Sequence, residues 1–348
     1  MSRIPARGRP CHTRMLEVEL LQRDAEHLEV RGNVLDLRKS GLVPLPNELQ
    51  SAGFVHHMQI GLEIEAATAR VERVQVEQPY VAMEASGPTG GECCRDPIDR
   101  LGALEGAVLA PGFEKEVTRV FGGPLGCSHL MTLGQTIGRA LPRALAAERR
   151  LAASREADER IFKRTVFIDG LTHDDGGELE LVVQQADLAT TPRGRYDAPF
   201  GRFGHQHEVE AHAIVALAGM QVRALTCAER VRSQADLGHE AWTRWTPIGD
   251  EVQHVVDQPI MPGLGSRLIG ALADREERAV ALDALLHLGP GFLQCLAALP
   301  DGGVLGGTSD SGAVQQVGGN RDSCYMWRTG GALDRPAAAP PRPGSDEP

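Results

Sequence analysis

Aromatic residues make up only 4% of this 348-residue chain, and it contains no long run of lysine and arginine and no stretch of about 18 apolar residues. The formal charge is −11 at pH 7, so the electrostatic footprint expected of a nucleic-acid or anionic-membrane binder is missing. The seven cysteines (11, 93, 94, 127, 227, 295 and 324) are odd in number and irregularly spaced. That pattern fits a reducing compartment better than a disulfide-stapled secreted protein, so a cytoplasmic location is expected. The basic N-terminus MSRIPARGRPCHTR is followed by no apolar segment, so no export signal is expected. A Walker loop, a GxGxxG after a strand, a GxSxG elbow and an HExxH are all lacking. With them go the usual supports for nucleotide-dependent, Rossmann, hydrolase-fold and zincin chemistry. What remains is a small-molecule substrate, with no nucleic acid and no membrane. A homo-oligomer or an enzyme partner is compatible with this.

Hydrophobic residues are 42% of the chain, enough for a substantial core, and the length suggests two domains of about 150 residues. Residues 27–37 and 57–78 alternate apolar and polar with period two, which predicts half-buried antiparallel strands, the longer one turning near Ala66-Ala67-Thr68. After Asp96 the spacing becomes helical, through Ile98, Leu101 and Leu104 and again through Leu130, Leu133, Ile137, Leu141 and Leu145. The second half repeats this order. A shift of 151 residues pairs Gly53 with Gly204, His56 with His207, Asp99 with Asp250 and Pro111-Gly112 with Pro262-Gly263. Matched element order and matched internal distances predict a tandem duplication. The expected fold is therefore α+β: two similar halves, each a curved antiparallel sheet packed with helices, in a pseudo-two-fold arrangement with a pocket at their seam. The first copy is assigned to residues 13–150 and a degenerate second copy to 160–300. A flexible loop over 301–320, a closing segment over 321–330 and a disordered tail over 331–348 complete the chain.

Chemistry concentrates in the run GGPLGCSHL at residues 122–130. A glycine-rich approach followed by a helix beginning near Ser128 would aim unpaired N–H groups at Cys127, which lowers a thiol pKa and favours an anion. Cys127 is then a nucleophile or a polar pocket residue, and His129 or His56 a general acid or base. The alternative is a plain helix-to-helix turn in which Cys127 is a small buried hydrophobe. If a metal is present, His56, Cys127 and His129 form a Cys-His-His set for zinc with an open fourth position; a closed structural site would need a fourth ligand from Cys324 or Asp99. Asp99, near a helix start whose cap is expected at Asp96, is a second candidate catalytic residue. In the second copy the shift lands on Arg278 and Val280 in place of Cys127 and His129, which marks that copy as a structural partner. Trp242 and Trp245 could line a pocket for a flat ligand.

The quoted residues resemble the DUF2889 family of bacterial proteins. The resemblance rests on Arg14 in the opening strand, His56-His57-Met58, Pro111-Gly112-Phe113, Gly126-Cys127-Ser128-His129-Leu130 and Asp322-Ser323-Cys324. It covers about residues 13–145 and the 321–330 segment, with His57 standing where the pattern has Asp and Ser128 where it has Thr. The family brings no established activity, only an association with catabolic enzymes of aromatic compounds. Three functions are carried forward: a cofactor-independent lyase or hydrolase of aromatic or acyl compounds, a non-catalytic small-molecule binding or enzyme-stabilising subunit, and a zinc enzyme with a Cys/His site.

Overall fold

The computed structural model describes residues 6–41, 43–44, 49–151, 154–173, 176–192, 201–236, 239–296, 298–299, 321–331 and 333–334. The 301–320 segment, and the 331–348 tail apart from three residues, lie outside them. The first half is a meander of strands β1 (Arg9–Gln22), β2 (His27–Arg38), β5 (Gly53–Glu65) and β6 (Val71–Tyr80). The short pair β3 (Val43–Pro44) and β4 (Leu49–Gln50) interrupts it. Helices α1 (Phe113–Phe121) and α2 (Ser128–Leu151) follow. The second half has strands β7 (Arg160–Thr172), β8 (Glu178–Thr190), β9 (Phe203–Ala216), β10 (Gln221–Ser233) and β11 (Thr246–Pro247). Its helices are α3 (Gly249–Val252), α4 (Leu264–Leu272), α5 (Ala279–Leu285) and α6 (Leu288–Leu296).

Nine of the eleven strands form one antiparallel sheet in the order β11-β10-β9-β8-β7-β1-β2-β5-β6, with β3 and β4 paired separately. This corrects the expectation of a separate sheet in each half. β1 and β7 pair along nearly their whole length, from Arg9 opposite Thr172 to Leu21 opposite Arg160. Each would otherwise be an exposed edge with unpaired N–H and C=O groups, and joining them satisfies both.

Period-two patterning decides which face is buried. On β1 the inward residues run Leu20, Val18, Leu16, Arg14, His12; on β2 they run Val30, Gly32, Val34, Asp36, Arg38. Each row is apolar for most of its length and turns ionic at one end. Helix α2 lies over these rows, burying Leu130, Leu133, Ile137 and Leu141, each such side chain contributing about 1.5–3 kcal/mol of transfer free energy. Helix α1 closes tightly on α2 because Gly138 and Gly134 carry no Cβ; one at Gly138 would run into the backbone nitrogen of Glu114. The stretch Glu276–Leu296 is apolar enough to cross a membrane by length and composition, with a mean hydropathy of 1.4. In the fold, α5 and α6 from that stretch pack on β7, β8, β9 and β1.

Candidate active site

The ionic ends of β1 and β2 meet the start of α2. Arg14 donates to both oxygens of Asp36, Nε to Oδ1 at 2.9 Å and Nη2 to Oδ2 at 3.1 Å, with both residues almost fully inaccessible. His129, in the first turn of α2, places Nε2 3.0 Å from Asp36 Oδ2. That approach is at ion-pair distance but off the line of the ring N–H, so Nε2 lacks an aligned hydrogen bond. The other ring nitrogen, Nδ1, faces Cys127 Sγ at 3.6 Å. His56 stacks on His129 with ring centroids 3.8 Å apart. It reaches this position through a bulge in β5, where Asp36 pairs with His56 but Leu37 pairs with Phe54, so that Val55 and His56 are both buried.

These contacts fix the charges. Burial alone would raise the Asp36 carboxyl, but Arg14 and His129 outweigh it and hold it well below the usual carboxylate range. Burial opposes protonation of His129, yet Asp36 and Cys127 push it up to about 9. Burial would likewise raise the Cys127 thiol; the hydrogen bond and charge of His129, with the backbone N–H groups of Leu130 and His129, lower it. His56 is driven well below 6.5 by burial and then by His129, so it is neutral. Burial also takes His12 down to about 4. The site is therefore a Cys127–His129–Asp36 relay biased toward thiolate and imidazolium, with Arg14 anchoring the carboxylate.

Cys127 and His129 line a cavity of about 110 Å³ together with His56, Arg38, Gln50 and Gln294. The cavity belongs to the first half, not to the seam between halves; among the described residues of the second half, Gln294 of α6 reaches it. The opposite wall is the 321–334 segment, which docks through Tyr325 N donating to Gly126 O at 2.7 Å and Arg328 Nη2 to Glu92 Oε1 at 2.6 Å. Cys324 and Cys94 face the same cavity. Gly126 is required where it stands, because a Cβ would collide with the carbonyl oxygen and ring of Phe121. Gly126→Ala is expected to cost about 1–3 kcal/mol and to slow alkylation of Cys127. Urea denaturation and peptide-level mass spectrometry check the two effects.

Other sequence candidates fall elsewhere. Asp99 is exposed, in the first turn of the 3₁₀ segment Ile98–Leu104, and does not line the cavity. Asp96 caps no helix: it accepts from Cys93 N at 3.0 Å and from the Cys93 thiol. Trp242 and Trp245 carry Arg232 and Arg230 on their faces, 5.0 and 4.6 Å from the ring centroids, and line no part of this cavity. Of the Cys-His-His metal set, Cys127 drops out. At this site the residues whose ligand atoms all lie within 4.8 Å of one another are Asp36, His56 and His129; a second such group among the described residues, His27, Glu63 and Glu72, lies away from the cavity.

The buried histidines set a pH window. The unfolded-state value is 6.5, so the raised His129 contributes stability that is full below pH 6.5 and is lost as pH rises through about 9. His12 at about 4 and His287 at about 3 are depressed, so their contribution is present above 6.5 and is lost as pH falls toward those values. Each proton contributes up to about 1.4 kcal/mol per pH unit. Urea midpoints are expected to fall as pH drops below neutrality, whereas between pH 7 and 9 the loss from His129 is offset by the gain from the lowered Cys127 thiol. In Cys127→Ser, which removes that offset, the midpoint is expected to fall from pH 7 to 9, and a midpoint that keeps rising there contradicts the charge assignment of His129.

The fold and site define an α+β protein with a buried Cys–His–Asp relay at the end of a continuous antiparallel sheet. Residues 12–142 match the family model DUF2889, a protein of unknown function, and the match supports that family for the segment holding Arg14, Asp36, His56, Cys127 and His129. No curated protein matches the chain.

Proposed function

We propose that the protein is a cofactor-independent enzyme that hydrolyses a small acyl compound through Cys127. The observation that carries this reading is the relay: a cavity-lining thiol at the N-terminus of a long helix, 3.6 Å from a histidine held by a buried carboxylate. Cys127 thiolate attacks the acyl carbon, and the bond to the leaving group breaks as His129 donates the proton that the leaving atom needs. Water then attacks the thioester, with neutral His129 taking its proton, and releases the carboxylic acid and free Cys127. Asp36 orients His129 and balances its charge, while Arg14 keeps Asp36 ionised. His56, neutral and bordering the same space, supplies a polar ring to the reacting group.

A second reading has one observation in its favour. His56 Nδ1 and His129 Nε2 are buried without an aligned hydrogen bond beside Asp36, which is the donor set of a divalent cation. The thiol reading is preferred because the Arg14 guanidinium already occupies both oxygens of that carboxylate, and a dication placed there would face it directly. The test is turnover of p-nitrophenyl butyrate and a short-chain acyl thioester, with metal content measured on the same protein. Expected is turnover that survives chelation and drops at least about a thousandfold in Cys127→Ser and His129→Ala. Unchanged turnover in Cys127→Ser rejects the thiol reading; about one zinc per chain that disappears in His56→Gln together with activity installs the metal.

We also infer that the chain is a tandem duplication whose second half is scaffold. Support comes from backbone details repeated 151 residues apart. Val71 N donates to Ala107 O, and Val222 N to Gln258 O; Leu109 N donates to Ala69 O, and Ile260 N to Met220 O. Ala69 and Met220 both have positive φ, 61° and 52°, and Gly112 and Gly263, before α1 and α4, have φ of 101° and 99°. Asp36 pairs with His56, and Asp187 with His207. Helix α5 begins at Ala279, the shifted counterpart of Ser128, so Arg278 stands where Cys127 does. Arg278 is locked in ion pairs with Glu229 and Glu251, and His207 Nε2 lies 2.9 Å from Glu229 Oε2. In this half the place of the thiol is taken by structural ion pairs.

A further inference from the structure

We propose that the cavity beside Cys127 holds the carboxylate of a small organic acid on Arg38 and Gln50. The substrate is then an acyl derivative that carries a second, free carboxyl group. The second clause rests on the thiol reading above; the binding site itself does not.

Arg38 sits at the inward-facing end of β2, only 5% exposed, and lines the cavity. Its guanidinium donates to Gln50 O at 3.1 Å and makes no ion pair among the described residues. The cause acting on its pKa is burial, which lowers it. A buried guanidinium without a counterion costs several kcal/mol, a cost that persists in a fold only where a bound anion or another function offsets it. Its neighbours are also short of partners. Gln50, 6% exposed, has a buried side-chain Nε2 with no acceptor, Arg38 Nε has none, and His56 Nδ1 is likewise unsatisfied.

The charge of the whole site agrees. Arg14 and Arg38 are guanidinium cations and Asp36 is anionic, His12 and His56 are neutral, and His129 with Cys127, as an imidazolium–thiolate or a neutral pair, adds no net charge. One positive charge is left uncancelled next to the cavity. A planar guanidinium fork supplemented by one amide donor matches the two in-plane oxygens of a carboxylate. A phosphate dianion would ask for more donors around a tetrahedron than these residues supply. The remaining walls, among them Val55, Met83, Pro97 and Met326, are apolar and suit the carbon skeleton. At about 110 Å³ the space is somewhat smaller than the roughly 150 Å³ that accommodates benzene in an engineered cavity, so the enclosed part of the ligand is short.

The test is calorimetric titration of the full chain with butyrate, its uncharged analogue butyramide, and inorganic phosphate. Expected is butyrate binding at least tenfold tighter than either of the others, weakened at least tenfold in Arg38→Met and several-fold in Gln50→Leu. Thermal melting of each variant shows whether it is folded, and the butyrate–butyramide comparison on wild type needs no variant at all. Equal binding of butyrate and butyramide overturns the proposal, as does tighter binding of phosphate or unaltered butyrate affinity in folded Arg38→Met. Because the titration reads binding and not turnover, failure of the thiol reading in the turnover assay leaves this result intact, and failure here leaves the turnover assay intact.

Discussion

Iodoacetamide at neutral pH is expected to alkylate Cys127 at least tenfold faster than any other of the seven cysteines, and Cys127→Ser to remove that fast phase. Reactivity requires both thiolate and access. Cys127 has both, since its thiol is lowered by His129 and it lines the cavity. Cys93 is accessible, but burial and Asp96 raise it. Cys94 and Cys324 share the cavity wall yet are raised, Cys324 to about 11, and Cys227 is raised to about 12. Cys295 is raised by its contact with Cys11 and by burial. Cys11 is lowered by Cys295, but it is fully inaccessible and donates to Gly170 O at 3.3 Å. An ordinary thiol near pKa 9 is about 1% thiolate at pH 7, and each unit of lowering multiplies that fraction nearly tenfold. His129→Ala removes the largest favourable contribution, so the pH midpoint of alkylation is expected to move upward. Labelling led by Cys93, or a midpoint indifferent to His129→Ala, defeats the assignment of Cys127 as nucleophile.

The part of this site legible in the sequence is the part encoded locally. Cys127 and His129 stand two residues apart in a glycine-framed run, and the helix that begins at Ser128 follows from turn chemistry and apolar spacing. Asp36 and Arg14 escape that kind of reading because their partners are 22 residues apart in sequence and meet only through the β1–β2 register. A signal was nevertheless present. Arg14 continues the inward phase of Leu16, Val18 and Leu20, and Asp36 that of Val30 and Val34, so each is a charge at a position that the strand period assigns to the core. Two charges of opposite sign in the buried phase of adjacent strands imply a buried pair. Asp99 misled for the converse reason: proximity in sequence to a helix start says nothing about which way the carboxylate faces. The joining of the halves through β1 and β7 was equally out of reach, since either strand pattern suits an edge or an interior position. The bulge that turns His56 inward depends on pairing and leaves no mark on the alternation.

Asp36→Ala is expected to destabilise the protein by about 3–5 kcal/mol, a large share of the 5–15 kcal/mol that holds a typical domain together. The carboxylate is fully buried and, among the described residues, is the ion-pair partner of Arg14, itself 1% exposed. Without it a buried guanidinium and a buried imidazolium face each other with nothing between them. His129 then loses the charge that raises its pKa and is expected to become neutral, which adds its share to the loss and removes the proton held for the leaving group. Urea denaturation near pH 7 measures the stability, and the alkylation rate of Cys127 measures the relay. The double variant Arg14→Met/Asp36→Leu separates the two roles. Replacing a buried ion pair by apolar side chains of similar volume is commonly near neutral, so most of the stability is expected to return. The fast alkylation of Cys127 is not, because His129 still lacks its carboxylate. Recovery of both in the double variant would make the Arg14–Asp36 pair a structural element alone, with no part in activating the thiol; recovery of stability without reactivity ties the carboxylate to the chemistry through His129.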